Sequence, residues 1–364
     1  MNILILNWRD PKNPKAGGAE LVTLKHASAW VKAGHKVTWF TSEFPNAEKS
    51  ERINGISVVR SGSSLSVYLF APIFYLRNRK SFDIVIDEIH GIPFFTPLYV
   101  RKPKIAFIHE VAGEIWDYMY PFPINIFGKL LESFYFFFYK NILFWTDADS
   151  TNDELSKHGI PKKNCYAINC PPDVVPIDSL PKKELKPTFI FVSRLVKMKG
   201  IEDVLKAFSF IIKELPDAQL WIVGGGDEKY IKQLKKLVRD LDITRNTSFL
   251  GRVNENEKIS YMRKAHLLLH ASVKEGWGLV VVEAASQGTT AVVYNVAGLR
   301  DSVKDEKTGI VIDQNTPFAL ATSALKLIKN KKQYSELQKN ALVWAKSLTW
   351  DNATKESLKI ISSL

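Results

Sequence analysis

The chain has only two cysteines, Cys165 and Cys170, in 364 residues. They cannot build a disulfide framework and they lack the paired spacing of a zinc site. Incidental thiols in a reducing, cytoplasmic setting are the expectation. Long apolar runs are missing as well. Nothing reaches the ~18 residues that a membrane helix needs. The richest stretch, SFYFFFYKNILFW (133–145), is broken by Lys140 and Asn141. The opening MNILILN reads as a strand, not as a basic, cleavable leader. Repeats and low-complexity tracts are absent. So are several chemical signatures. No G-x-G-x-x-G follows the first strand, and GGGDEK (224–229) has no third glycine in register. A Walker A lysine, an H-E-x-x-H pair and a G-x-S-x-G elbow are not found. These gaps argue against a typical dehydrogenase, P-loop NTPase, zincin or α/β-hydrolase.

What is present is a soluble balance, 46% hydrophobic and 24% charged, in a chain too long for one ordinary core. The formal charge is +12. Up to Asp173 there are 20 Lys/Arg against 17 Asp/Glu, and beyond it 30 against 21, so the excess lies mostly in the second half. A basic surface suits anionic partners such as nucleotides, phospholipid headgroups or nucleic acid; of these, nucleic acid is not expected as a partner. Part of the charge, as in KYIKQLKKLVRD (229–240), fits a solvated helix face.

Short apolar runs alternate with amphipathic segments. NILILN (2–7), KVTWFTS (36–42), ISVVR (56–60), DIVIDEI (83–89) and KIAFIH (104–109) read as strands, with a helix over 19–33. Five prolines in 171–187 mark a change of character. The alternation then restarts with TFIFVS (188–193), QLWIVG (219–224), TSFLG (247–251), HLLLHAS (266–272), TAVVYN (290–295) and GIVID (309–313). Continuous apolar strands separated by helices imply parallel sheets covered on both faces. The fold expected is α/β, with two doubly wound, Rossmann-like domains facing a central cleft. Their boundaries are 1–173 and 188–348, with a linker at 174–187 and a final helix (349–364) returning to the first domain. Ligands of such sheets bind at the carboxyl ends of the strands.

Three constellations sit at those ends. SRLVKMKG (193–200) puts Arg194 after a strand and Lys199 just before a helix. A guanidinium fork, an ammonium and a helix N-terminus together suit phosphate oxygens, although plain loop charges would look the same. KAGGAE (15–20) offers Gly17 and Gly18 between the first strand and its helix, either for close approach of a ligand or for a tight turn. VKEGWGLVVVEAASQG (273–288) holds Glu275 before a glycine turn and Glu283 about one turn into the next helix. Each carboxylate can accept from a pair of vicinal hydroxyls; for Glu283 local pairing on its own helix is the alternative.

Arg194 and Lys199, the glycines at 224–226, EGWGLVVVEAASQG, GGAE, His109 after AFI, HGIPKKNCYAIN and AGLRDSVKDEKTGIVI (297–312) together resemble glycosyltransferase family 4. The likeness spans nearly the whole chain in the right order. It implies a GT-B architecture and a retaining enzyme that moves a hexose from a nucleoside-diphosphate sugar, such as a UDP- or GDP-hexose, to an acceptor hydroxyl, forming an alpha linkage. It assigns Arg194 and Lys199 to the diphosphate, Glu283 to the ribose and Glu275 to the sugar. Backbone amides of Gly276, Trp277, Gly278 and Leu279 would lie by phosphate and sugar. Gly17, Gly18 and Gly224 would line the donor site, His109 would approach the sugar, and Arg252 and Val253 would meet the base. No metal and no cofactor beyond the nucleotide-sugar co-substrate are implied. Trp277 stands where the family usually has Phe, and NCPPD (169–173) replaces the family's PNG. The acceptor would be a glycan or a lipid-linked molecule. Residues 109–145 are unusually aromatic, which leaves open a peripheral contact with the cytoplasmic membrane face or simple packing in the core. Another GT-B enzyme, such as a sugar-nucleotide epimerase, or a non-catalytic nucleotide-sugar-binding protein, remains as the alternative.

Overall fold

The computed structural model describes residues 1–364, which divide into two units: 1–170 with 350–364, and 171–349. In the first unit, the strands are β1 (Asn2–Leu6), β2 (Lys36–Thr41), β3 (Ser50–Ile53), β4 (Ile56–Arg60), β5 (Ile84–Ile89), β6 (Lys104–Ile108), β7 (Leu143–Thr146) and β8 (Cys165–Ala167). They form one sheet in the order β3-β4-β2-β1-β5-β6-β7-β8. All pairs are parallel except β3–β4. The helices of this unit are α1 (Gly18–Lys32), α2 (Val67–Asn78), α3 (Ile115–Met119), α4 (Ile124–Tyr139) and α5 (Asp149–Lys157). β1 and β5 are buried at nearly every position because helices cover both faces of the sheet.

The second unit is a six-stranded parallel sheet built from β9 (Thr188–Val192), β10 (Gln219–Val223), β11 (Thr247–Gly251), β12 (Leu267–His270), β13 (Thr290–Tyr294) and β14 (Gly309–Ile312). Its order is β11-β10-β9-β12-β13-β14, with the reversal of direction falling beside β9. Its helices are α6 (Ile201–Glu214), α7 (Glu228–Asp240), α8 (Glu255–Lys264), α9 (Leu279–Ser286), α10 (Leu299–Ser302), α11 (Pro317–Lys329) and α12 (Lys331–Ser347). One core layer packs Phe189, Phe191, Phe208 and Leu220 beneath α6 and α11. The last helix, α13 (Trp350–Ser362), belongs to the first unit: His26 Nδ1 and Trp30 Nε1 lie 2.9 and 3.0 Å from Ser357 Oγ.

Three strands go beyond the sequence expectation. β3 pairs back on β4 through Asn54 and Gly55, both at positive φ (50° and 84°), the geometry of a two-residue hairpin turn. β7 emerges from the far end of the aromatic run, after α4 has ended at Tyr139, and β8 adds a short edge. Residues 174–187 differ from a free linker. The Ile177 N–H donates to Ser286 O, the Glu184 N–H to Lys264 O, and Lys183 Nζ to Thr289 Oγ1. These bonds hold the segment along the second unit. No helix is long and apolar enough to cross a membrane.

Candidate functional site

In the second unit the loops after β9, β10, β11 and β12 all leave the carboxyl edge of one parallel sheet. The loop after β9 carries Arg194, exposed, and Lys199, half-buried. It is tied to the loop after β12: the Val273 N–H and the Ser272 hydroxyl both donate to Met198 O, at 2.9 and 3.0 Å. Gly200 makes that approach possible. It sits at φ 71°, and a Cβ there would lie 1.9 Å from Ala271 O. The zipped loops bring Lys199 Nζ to 2.7 Å from Glu275 Oε1, and His270 Nε2 lies 3.0 Å from the same oxygen. Burial alone would raise the Glu275 pKa, but Lys199 and His270 hold it well below the usual carboxylate range. Glu275 is therefore a fixed anion already bonded to a cation.

Glu283 lies in the second turn of α9, whose N-cap is Gly278 at φ 92°. It is buried, and Lys258 Nζ on α8 donates to its Oε2 at 2.8 Å while also pairing with Glu255. Burial pushes the Glu283 carboxyl up; Lys258 opposes this. The pairing thus runs to a neighbouring helix, not along its own. Trp277 is buried, so its indole is a packing element, while the backbone from Gly276 to Leu279 makes the turn into α9. Gly224 follows β10, where a Cβ would meet Ser193 O at 1.8 Å. Gly225 is overlain by the Arg252 side chain, which follows β11 next to Val253.

The first unit holds a second polar cluster at the carboxyl edge of its own sheet. Gly17 caps α1, and its N–H donates to Glu20 Oε2 at 2.6 Å; Arg9 Nε is 2.9 Å from Glu20 Oε1. Gly18 opens the helix. His109 follows β6 and is buried. Its Nδ1 lies 2.5 Å from Asp147 Oδ2 at the end of β7, and its Nε2 has no hydrogen-bond partner. Burial pulls the His109 pKa down, but Asp147, then Glu88 and Glu20, drive it up to about 9. Glu88, at the end of β5, is raised by burial to about 8, and accepts from Asn7 Nδ2 and Thr23 Oγ1. His90 is lowered by burial to about 3. The ligand atoms of Glu88, His90 and His109 come within 4.8 Å of one another. Glu88 Oε2 also lies 3.4 Å from His90 Nε2, so the three side chains join one hydrogen-bonded network with Asn7, Thr23 and Asp147.

Sequence reasoning missed Lys258, His270, Glu20, Glu88, His90 and Asp147. Glu20 was quoted within GGAE and could have been found there. Lys258 and Asp147 lie 25 and 38 residues from Glu283 and His109, and Glu88 lies 65 and 81 from Thr23 and Asn7, with no motif linking them; His270 and His90 lie only 5 and 2 residues from Glu275 and Glu88.

Two Rossmann-like units, each built on a largely parallel sheet covered by helices, are the architecture of the GT-B glycosyltransferases. The comparisons agree. The model for "Glycosyltransferase Family 4" matches residues 16–174, and that for "Glycosyl transferases group 1" matches residues 177–344. An uncharacterized glycosyltransferase of Methanocaldococcus jannaschii is 32% identical, over 99% of this chain and 97% of that one. Among solved structures, sucrose-phosphate synthase from Thermosynechococcus elongatus superposes with a TM-score of 0.82 at 18% identity, covering 100% of this chain and 98% of that one. Anabaena HepE, solved with UDP-glucose, gives 0.76 at 17% identity, with 100% of both chains covered. The chain belongs to the group 1, family 4 glycosyltransferases.

Proposed function

We propose that the protein transfers a hexose from a nucleoside-diphosphate sugar to an acceptor hydroxyl with retention, giving an alpha linkage. The observation that carries this reading is the pair of ion pairs in the second unit, Lys199–Glu275 and Lys258–Glu283. A cation stands ready for a diphosphate, and two carboxylates suit polyols. In this reading Arg194 and Lys199 bind the diphosphate, Glu283 the ribose and Glu275 the sugar. Gly224, Arg252 and Val253 flank the base and phosphates. Amides of Gly276, Trp277, Gly278 and Leu279 meet phosphate and sugar, and the family resemblance adds Gly17, Gly18 and His109. The acceptor hydroxyl attacks the face from which the diphosphate departs, and a phosphate oxygen takes its proton. Protein cations and oriented N–H groups stabilise the leaving charge. The mechanism calls for no metal at the diphosphate and no cofactor.

The test is nucleoside-diphosphate release from a panel of UDP-, GDP- and ADP-sugars. Arg194→Ala and Lys199→Ala are each expected to lower kcat by about 10²–10³, the scale of one preorganised donor. Normal turnover by both variants would refute the assignment. A lipid-linked or glycan acceptor met at the cytoplasmic membrane face is the acceptor reading favoured by α4, which buries Tyr135, Phe136 and Tyr139 yet exposes Phe127, Leu130, Phe134 and Phe137.

A further inference from the structure

We propose that Asp147 is a positioning residue that fixes His109 as a cation, so that the unpartnered Nε2 is a hydrogen-bond donor and not an acceptor. The inference rests on the sugar contact that the family resemblance gives His109, and it adds the charge state and the residue that sets it. His109 and Asp147 end adjacent parallel strands, β6 and β7. The 2.5 Å contact commits Nδ1 to the Asp147 carboxylate. Both residues are held from behind. The Thr151 hydroxyl donates to His109 O at 3.3 Å, Asn169 Nδ2 donates to Asp147 O at 2.9 Å, and the His109 ring packs 4.4 Å from that of Phe107. With Nδ1 used, a neutral ring would show a lone pair at Nε2, whereas the protonated ring shows an N–H.

The surroundings choose the second. The groups facing the ring are Asp147 from β7, Glu88 and His90 at the end of β5, Glu20 and His26 on α1, and Arg9, paired with Glu20, after β1. Of these, His90 and His26 are lowered by burial to about 3 and carry no charge at neutral pH. Glu88, raised by burial to about 8, is neutral there too, which leaves Asp147 and Glu20 against the one remaining cation, Arg9. The ion pair as a whole is neutral. It can donate to a sugar hydroxyl without repelling a ring that gains positive character as the diphosphate leaves.

Two measurements decide this. In the full chain labelled with ¹⁵N-histidine, the His109 ring, identified by its loss in His109→Asn, is expected to titrate near pH 9, and in Asp147→Asn below 7. Titration near 6.5 in the unmodified chain, or no change in Asp147→Asn, overturns the proposal. This arm needs no substrate. In the second arm, UDP release from UDP-glucose is followed against pH. Asp147→Asn should lower kcat at pH 8 by on the order of 10², leave the donor KM unchanged, and shift the alkaline fall from near pH 9 to near 6.5. Asp147→Glu should recover part of the rate. An unshifted profile overturns the proposed role. If the unmodified enzyme releases no nucleotide from any donor tried, the transferase reading fails, and the ring titration still decides the dyad.

Discussion

Gly200 shows how much of this site is decided by single atoms. At φ 71° an L side chain is already strained, and its Cβ would be driven into Ala271 O. Gly200→Ala must push the loop holding Lys199 away from the loop holding Glu275. It is expected to cost at least about 2 kcal/mol of stability and to weaken nucleoside-diphosphate binding together with it. Thermal melts with and without UDP, GDP or ADP check both effects. A variant that keeps its melting temperature would show that the two loops are not tied as described. The glutamates, the lysine and the glycines here were legible in the sequence because they lie in short, ordered strings after strands. Their partners were not. Lys258 meets Glu283 only because α8 and α9 are neighbours, and Asp147 meets His109 only because β7 follows β6 in the sheet.

At the scale of elements, buried parallel strands announced themselves as unbroken apolar runs. β3 did not, since SERI is a short, polar edge strand, although the Asn54-Gly55 turn was a usable hairpin signal. β7 was hidden because LFWT continues the aromatic composition of α4. That helix is apolar on two sides. Its inner side packs on Ala106 and Ile108. Outside, Phe127, Leu130, Phe134 and Phe137 are each at least 60% exposed. α2 packs on Leu4, Leu6 and Val85, which share a sheet face with Ala106 and Ile108, and it too exposes Leu69 (73%). Exposed cations end the two helices: Arg77 in the last turn of α2, Arg79 and Lys80 after it, and Lys140 after α4. An apolar face edged with cations suits an anionic bilayer, where each Lys or Arg near the surface is worth about 1 kcal/mol. Vesicles containing phosphatidylglycerol are expected to sediment the protein at low salt and less of it at high salt. The double change Phe127→Ser, Phe134→Ser should abolish this while altering stability by less than about 0.5 kcal/mol per site, since both rings are outside the core. No sedimentation with these vesicles would leave the outer aromatics without a lipid role.

Across the whole molecule, the two units carry opposite pH dependences above neutrality. In the first unit, His109 titrates at about 9 folded against 6.5 unfolded, so its stabilisation is complete below 6.5 and is lost as pH rises toward 9. Glu88 stays protonated to about 8 in the fold but loses its proton near 4.5 when unfolded, so it too makes stability fall, between 4.5 and 8. His26 and His90, lowered to about 3 by burial, act only on the acid side, where stability is lost below 6.5. In the second unit the relevant group is Lys183, which burial lowers from 10.5 to about 7. There the unfolded chain binds the extra proton between 7 and 10.5, so stability rises with pH across that window. One pKa unit is worth about 1.4 kcal/mol, and His109 and Glu88 are coupled, so their combined effect is less than the sum of the two. Large chains with more than one domain need not melt in one step. Calorimetry from pH 6.5 to 9 is therefore expected to show the first-unit transition moving down and the second-unit transition holding or moving up. Glu88→Gln should flatten the first of these slopes below pH 8, and Lys183→Met the second, which assigns each transition to its unit. A single transition that rises from pH 6.5 to 9 would mean that the carboxylate–histidine cluster of the first unit does not hold its protons as its burial and pairing require.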